Sequence, residues 1–164
     1  MPFELPDDLH PDCAPVAWLL GTWQGNGHGD YPTIEAFQFG QECIFTHDGR
    51  PFFHYMSRAW IVDEQGTKVR DAAIETGFLR PQAGGSLEWL LTHNTGFAEV
   101  YYGTAEGAKI EISTDAVVRT HSAKEYAGGH RMYGLVDGDL LWAYDMAAVD
   151  QPLQPHLSAT LRRA

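Results

Sequence analysis

A chain of 164 residues holds enough material for one domain with a sizeable core and too little for two ordinary ones. Its hydrophobic content of 44%, with neither a low-complexity tract nor a repeat of solenoid length, excludes a disordered chain. Eleven Lys and Arg against 22 Asp and Glu give a formal net charge of −11, a field that repels nucleic-acid phosphates and anionic lipid surfaces alike, so neither partner is expected.

The N-terminus, MPFELPDDLHPDC, has acidic groups and prolines where a secretory signal has a basic region and an apolar run. No apolar stretch approaches the length that crosses a bilayer, and a cytoplasmic location is the resulting expectation. From Asp12 to Leu20, DCAPVAWLL predicts a short helix capped by Asp12, with Val16, Leu19 and Leu20 at helical spacing and Gly21 as its stop. Cys13 and Cys43 form neither a C-x-x-C pair nor a zinc spacing, so they read as two reduced thiols, one near the helix and one in a strand.

Beyond the helix the hydrophobic period changes to two. GTWQGNG, from Gly21 to Gly27, opens the first strand. Trp23 suits an apolar plug where helix and strand meet, and Gly21, Gly25 and Gly27 let backbone approach backbone or form a bulge. A phosphate-cradling loop is disfavoured, because no Lys-Ser/Thr follows and no helix begins there. A strand over Ile34 to Thr46 leads through the HDGR turn to PFFHYMSRAWIV. After DEQG comes a strand near Ala72 to Arg80, then PQAGG, SLEWLLTH, and an NTG turn into FAEVYYG. KIEIST, AVVRTHSAKEY, HRMYGLV and, past VDGD, LLWAYDMA follow, with HLSATLRR last after a proline-bearing loop.

About ten strands with hairpin-sized connections and no crossover helix predict an all-β fold over residues 1–164, a single up-and-down antiparallel barrel with a short N-terminal helix. Closure removes the exposed edges, and beyond about eight strands the interior has room for a small ligand. A β-sandwich would need long Greek-key returns, which are not seen.

Most of the histidines suggest no site. His28, His47 and His93 read as turn or surface residues, and His54, His121 and His130 fall within predicted strands. No helical H-x-x-x-H spacing points to zinc, and no nucleophile elbow points to a hydrolase. Acidic residues are scattered over turns and solvent faces. Near the C-terminus, alternation places His156, Ser158 and Thr160 on one face and Leu157, Ala159 and Leu161 on the other. That pattern points His156 outward unless the strand end twists or bulges.

GTWQGNG fits a G-x-W-x-G-x-G pattern and runs on into DYPTIEAF; FTHDGRPF, ETGFLRP, SAKE and QPLQPHL follow in order over almost the whole chain. With these motifs the sequence resembles the nitrobindin family of haem-binding barrels. The resemblance implies haem b, one per chain, held without covalent attachment, and no C-x-x-C-H is present. It implies His156 as the axial ligand of the iron and the catalytic residue, since one imidazole leaves the opposite iron position open. It places Thr33, in YPTI, against the haem, pairs Lys124, in SAKE, with a haem propionate, and makes Gly21, Trp23, Gly25 and Gly27 the structural motif. The implied activity is binding of nitric oxide by ferric haem and isomerisation of peroxynitrite to nitrate, in detoxification or in sensing. Assembly is left open, a homodimer included. The alternative is a non-enzymatic carrier of a fatty acid or other lipophile, since the same barrel architecture can hold such ligands without a metal.

Overall fold

In the computed structural model, which describes residues 3–164, a nine-residue 3-10 helix, Pro11–Leu19, precedes ten antiparallel strands. These are β1 (Gly21–Tyr31), β2 (Ile34–Thr46), β3 (Phe53–Val62), β4 (Lys68–Pro81), β5 (Ser86–His93), β6 (Phe97–Glu106), β7 (Lys109–Arg119), β8 (Tyr126–Val136), β9 (Asp139–Ala148) and β10 (Gln154–Arg163). Each strand pairs with its neighbours in sequence, and β1 also pairs with β10, from Trp23↔Arg163 to Gly29↔Leu157, so the sheet closes on itself. Closure leaves no edge for another chain to extend.

The helix differs in detail from the sequence expectation. His10, not Asp12, caps it, its Nδ1 accepting from the Asp12 N–H at 3.1 Å. Pro15 lacks the N–H that an α-helix would bond to the Pro11 carbonyl, which accounts for the tighter 3-10 winding, while Pro11 stands at the first helical position, where no N–H is needed. AVVRTHSAKEY is not a strand of its own. Its first part continues KIEIST as β7, and residues 120–125 form a loop that contains His121. The broken alternation at STDA is a bulge: Val100 faces Ala116 and Tyr101 faces Thr114, leaving Asp115 as the extra residue.

Up-and-down topology sorts the connections between the two barrel ends. The N-terminal helix closes one end. The turns at 32–33, 63–67 and 94–96 and the loops 120–125 and 149–153 gather at the other. At the closed end Cys13, Val16 and Leu19 are fully buried in the core cluster with Trp23, whose Nε1 donates to the Leu19 carbonyl at 2.8 Å. The Arg163 guanidinium lies 4.1 Å over the Trp23 ring and donates to the Trp18 carbonyl, tying the last strand to the helical plug. The glycines of β1 make this seam close-fitting. A Cβ at Gly25 would stand 2.2 Å from the Thr160 carbonyl oxygen, and one at Gly27 would stand 2.5 Å from that of Ser158.

Candidate functional site

The interior is filled at one end and hollow at the other because inward-facing side chains shrink along β3. They run from Phe53 and Tyr55 to Ser57 and Ala59, with Leu79 of β4 beside Phe53 and Glu75 beside Ser57. A cavity of about 630 Å³ results near the open end, walled by β2, β3, β4, β9 and β10, with Phe37, Phe39, Ala59, Trp142 and His156 among its lining. That volume is within the ordinary range for small-molecule and cofactor sites, about 300–1,000 Å³. A separate groove of about 790 Å³ runs over the outer faces of β1, β8, β9 and β10, past His28, Ser158 and Thr160.

His156 lies on the cavity wall, contrary to simple alternation. Pro155 pairs with Asp145 and Leu157 with Tyr144, so a single step along β9 faces two steps along β10 and His156 is the extra residue of a bulge. The phase shift lets His156 and Leu157 line the same cavity. Edge contacts with Tyr31 (centroids 5.3 Å apart) and Tyr144 (5.8 Å) fix the ring plane. Its Nδ1 lies 3.0 Å from the Asp30 carbonyl oxygen. A carbonyl only accepts, so Nδ1 carries the proton and Nε2 presents a lone pair. Burial holds the imidazole below the ordinary histidine range and so favours its neutral form, against the smaller opposing effect of the Asp30 hydrogen bond.

Polar groups at the bottom of the cavity are paired. Gln41 donates to Ser57 at 2.8 Å and accepts from Trp142 Nε1 at 2.9 Å. Deeper, Arg131 is 1% exposed and makes a bidentate pair with Glu75, at 2.6 and 3.2 Å, while donating to the hydroxyls of Tyr101 and Tyr133. Burial opposes ionisation of Glu75, but the Arg131 charge and its hydrogen bonds outweigh it and hold the carboxyl below its usual range. Glu99 is similarly depressed despite burial, by hydrogen bonds from His93 and Tyr126 and by the Arg131 charge.

Of the residues singled out from sequence, only His156 lines the cavity. Thr33 occupies the β1–β2 turn and Lys124 the β7–β8 loop, both exposed and both at the open end of the barrel. The Lys124 carbonyl accepts from Arg119, and Glu125, beside it, accepts from the backbone of Val149 and Asp150, which links this loop to the one that precedes His156. Gly21, Trp23, Gly25 and Gly27 belong to the closed end and its seam. His93 is no surface residue: its side chain is 8% exposed and 2.7 Å from Glu99. Arg131, Glu75 and Glu99 were not anticipated, although each shares strand phase with an inward residue, Tyr133, Leu79 and Tyr101 respectively. Charged residues in phase with apolar ones were the available signal. Among the described residues, no cluster of three or more His, Cys, Asp or Glu side chains could hold a metal ion by itself, and no helix is long and apolar enough to cross a membrane.

Residues 12–163 match the family model described as the THAP4-like, heme-binding beta-barrel domain. A relative from Nocardioides sp. named peroxynitrite isomerase is 73% identical over 163 residues, spanning 99% of each chain. Another, from Cutibacterium acnes and named ferric nitrobindin-like protein, is 45% identical over 166 residues and spans all of both chains. The crystal structure of Rv2717c from M. tuberculosis superposes with a TM-score of 0.85 at 35% identity, covering 95% of this chain and 99% of that one.

Proposed function

The chain belongs to the THAP4-like, heme-binding β-barrel family, and from that premise we propose that it binds haem in the open-end cavity and isomerises peroxynitrite to nitrate. The observation that carries the cofactor reading is the chemistry of His156. Its Nδ1–H is committed to a backbone carbonyl, its imidazole is biased to the neutral form, and it faces a largely apolar cavity. Among the described residues no group is hydrogen-bonded to Nε2, so that nitrogen would be able to hold the iron of haem b.

Haem held in this cavity would supply the ferric centre for isomerisation of peroxynitrite to nitrate. His156 would hold the iron, with its ring orientation set by Asp30, Tyr31 and Tyr144. Phe37, Phe39 and Ala59 give the cavity apolar walls that limit water and leave space for the macrocycle. In this reading Thr33 and Lys124, exposed in a turn and a loop at the open end, would meet the propionates, Lys124 as a flexible point charge. The reaction moves no proton, so no side chain is assigned as general acid or base. Nitric oxide would be a second small ligand of haem bound in this cavity.

Hemin titration tests this reading. The full chain develops a Soret band that saturates at about one haem per chain, and the loaded protein accelerates nitrate formation from peroxynitrite. A weak, unsaturable spectrum would sink the haem reading and favour a carrier of lipophilic ligands.

A further inference from the structure

A ladder of oxidisable side chains leads from the cavity wall into the core. Trp142, which lines the cavity, stacks on Tyr133 with centroids 5.8 Å apart and planes at 14°. Tyr133 lies 5.1 Å from Trp89, and Trp89 lies 5.0 Å from Tyr55. The Tyr55 hydroxyl is 4.0 Å from the Cys43 thiol. Every member is 6% exposed or less, so electron exchange between successive rungs requires no solvent rearrangement.

Aromatic packing alone does not account for two features. Trp89 Nε1 is, among the described residues, the one buried side-chain nitrogen or oxygen with no hydrogen-bond partner. Leaving such a donor unpaired costs about 1–3 kcal/mol, a loss that a phenylalanine at this position would avoid. Second, the two phenols of the ladder have opposite surroundings. Tyr133 accepts from the Arg131 guanidinium, whereas Tyr55 donates to Glu75 Oε2 at 3.1 Å. Tyr55 alone on the ladder has an ionised carboxylate to take its proton, and loss of that proton is what makes an oxidised tyrosine a stable resting place.

We propose that Trp142, Tyr133, Trp89 and Tyr55 form a relay that draws one-electron oxidising equivalents out of the cavity and delivers them to Tyr55, with Glu75 as proton acceptor and Cys43 as terminal hydrogen donor. The oxidant is nitrogen dioxide, the one-electron oxidant released when peroxynitrite cleavage is not followed by recombination; only in this source does the relay rest on the isomerase reading. Nitrogen dioxide takes one electron from the Trp142 indole and becomes nitrite. An electron from Trp89 refills Trp142 through Tyr133, which is packed between them and keeps its proton, and an electron from Tyr55 refills Trp89. Tyr55 gives its hydroxyl proton to Glu75 and becomes a neutral phenoxyl radical. The Cys43 S–H then transfers a hydrogen atom to the Tyr55 oxygen, restoring the phenol and leaving a sulfur radical. Overall, one nitrogen dioxide is reduced, one thiol loses one electron, and one proton rests on Glu75. The cavity wall is thereby spared oxidation and nitration.

The test treats the full chain, with and without hemin, with nitrogen dioxide generated from nitrite by pulse radiolysis, and the hemin-loaded chain separately with peroxynitrite. Transient absorption follows indolyl and phenoxyl radicals, and peptide mapping locates the oxidised residues. In the wild-type chain, indolyl decay feeds phenoxyl growth and oxidation collects at Cys43. In folded Trp89→Phe the indolyl signal persists and Cys43 oxidation is lost. In folded Tyr55→Phe, which removes one hydroxyl and keeps the ring, oxidation shifts back to Trp142. Cys43 oxidation undiminished in both variants, or oxidation confined to exposed residues such as Tyr102 in the wild-type chain, would overturn the relay. Relay signals under direct nitrogen dioxide without catalysed nitrate formation would support the relay and overturn the isomerase reading alone.

Discussion

The carbonyl oxygen of Asp30 and Nδ1 of His156 stand 3.0 Å apart beside the seam where the first and last strands close the barrel. The contact requires the β10 bulge, which turns His156 towards the cavity and brings its ring edge against Tyr31 and Tyr144. One backbone irregularity therefore determines both where the imidazole points and which of its nitrogens remains free. A backbone carbonyl is a modest second partner for a ligating imidazole, orienting the ring without adding a buried charge.

His156→Ala separates fold from cofactor chemistry. The side chain is only half-buried and lies near a strand end, so far-ultraviolet circular dichroism remains that of the wild-type chain. Hemin addition gives a shifted or diminished Soret band, and catalysed nitrate formation is lost. Free imidazole restores part of the spectrum by occupying the vacated space. An unaltered spectrum and undiminished nitrate formation would exclude His156 as the ligand.

Lys124→Ala weakens haem retention modestly and leaves the spectrum of the bound iron unchanged. An exposed ammonium paired with a propionate is screened by water, so the loss is about 0.2–1 kcal/mol, or less than about tenfold in Kd. Transfer of haem to apomyoglobin measures the retention. Complete loss of the coordinated spectrum in a folded Lys124→Ala protein would remove this residue from the mouth.

Arg131→Met strands Glu75 as an unpaired carboxylate and lowers unfolding free energy by about 3–5 kcal/mol, whereas adding Glu75→Gln recovers part of that loss. The same pair produces acid sensitivity. Glu75 and Glu99 both have native pKa values held below their unfolded values, so their contribution is complete above the unfolded carboxylate range and disappears as pH falls through the native values. Urea midpoints measured from neutral pH down to about 3 therefore decline in the wild-type chain, and decline less in Glu75→Gln. A double variant no more stable than Arg131→Met would show that the stranded charge is not the cause.

Gly25→Ala forces apart the strands that close the barrel, because its Cβ would stand 2.2 Å from a backbone oxygen that has little freedom to move. Overpacking of this kind costs about 1–3 kcal/mol. Gly134→Ala is the contrasting case: its nearest neighbour would be 3.7 Å away, an ordinary contact, and the variant stays close to the wild-type Tm. Thermal unfolding of the two single variants measures the difference, and equal midpoints would refute the seam argument.

Period-two hydrophobicity and regularly spaced turns were sufficient by themselves to establish most of the strands, the up-and-down order and closure into a barrel, because each hairpin is decided by a few residues adjacent in sequence. The ordered motifs from GTWQGNG to QPLQPHL likewise identified the family without coordinates. The orientation of His156 was not legible, since strict alternation gave it the wrong face and a bulge is defined by two strands in register. The STDA segment of β7 failed in the same way, with a bulge read as a break between strands. Nor could local pattern pair Arg131 with Glu75, 56 residues apart, or place His93 beside Glu99 inside the barrel. The cavity too belongs to the tertiary structure: Ser57 and Ala59 are unremarkable in a strand sequence, and they leave space only because closure brings the other inward faces around them. Strand identity depends on nearest neighbours along the chain, whereas interior phase, buried charge pairing and empty volume depend on which distant residues closure sets face to face.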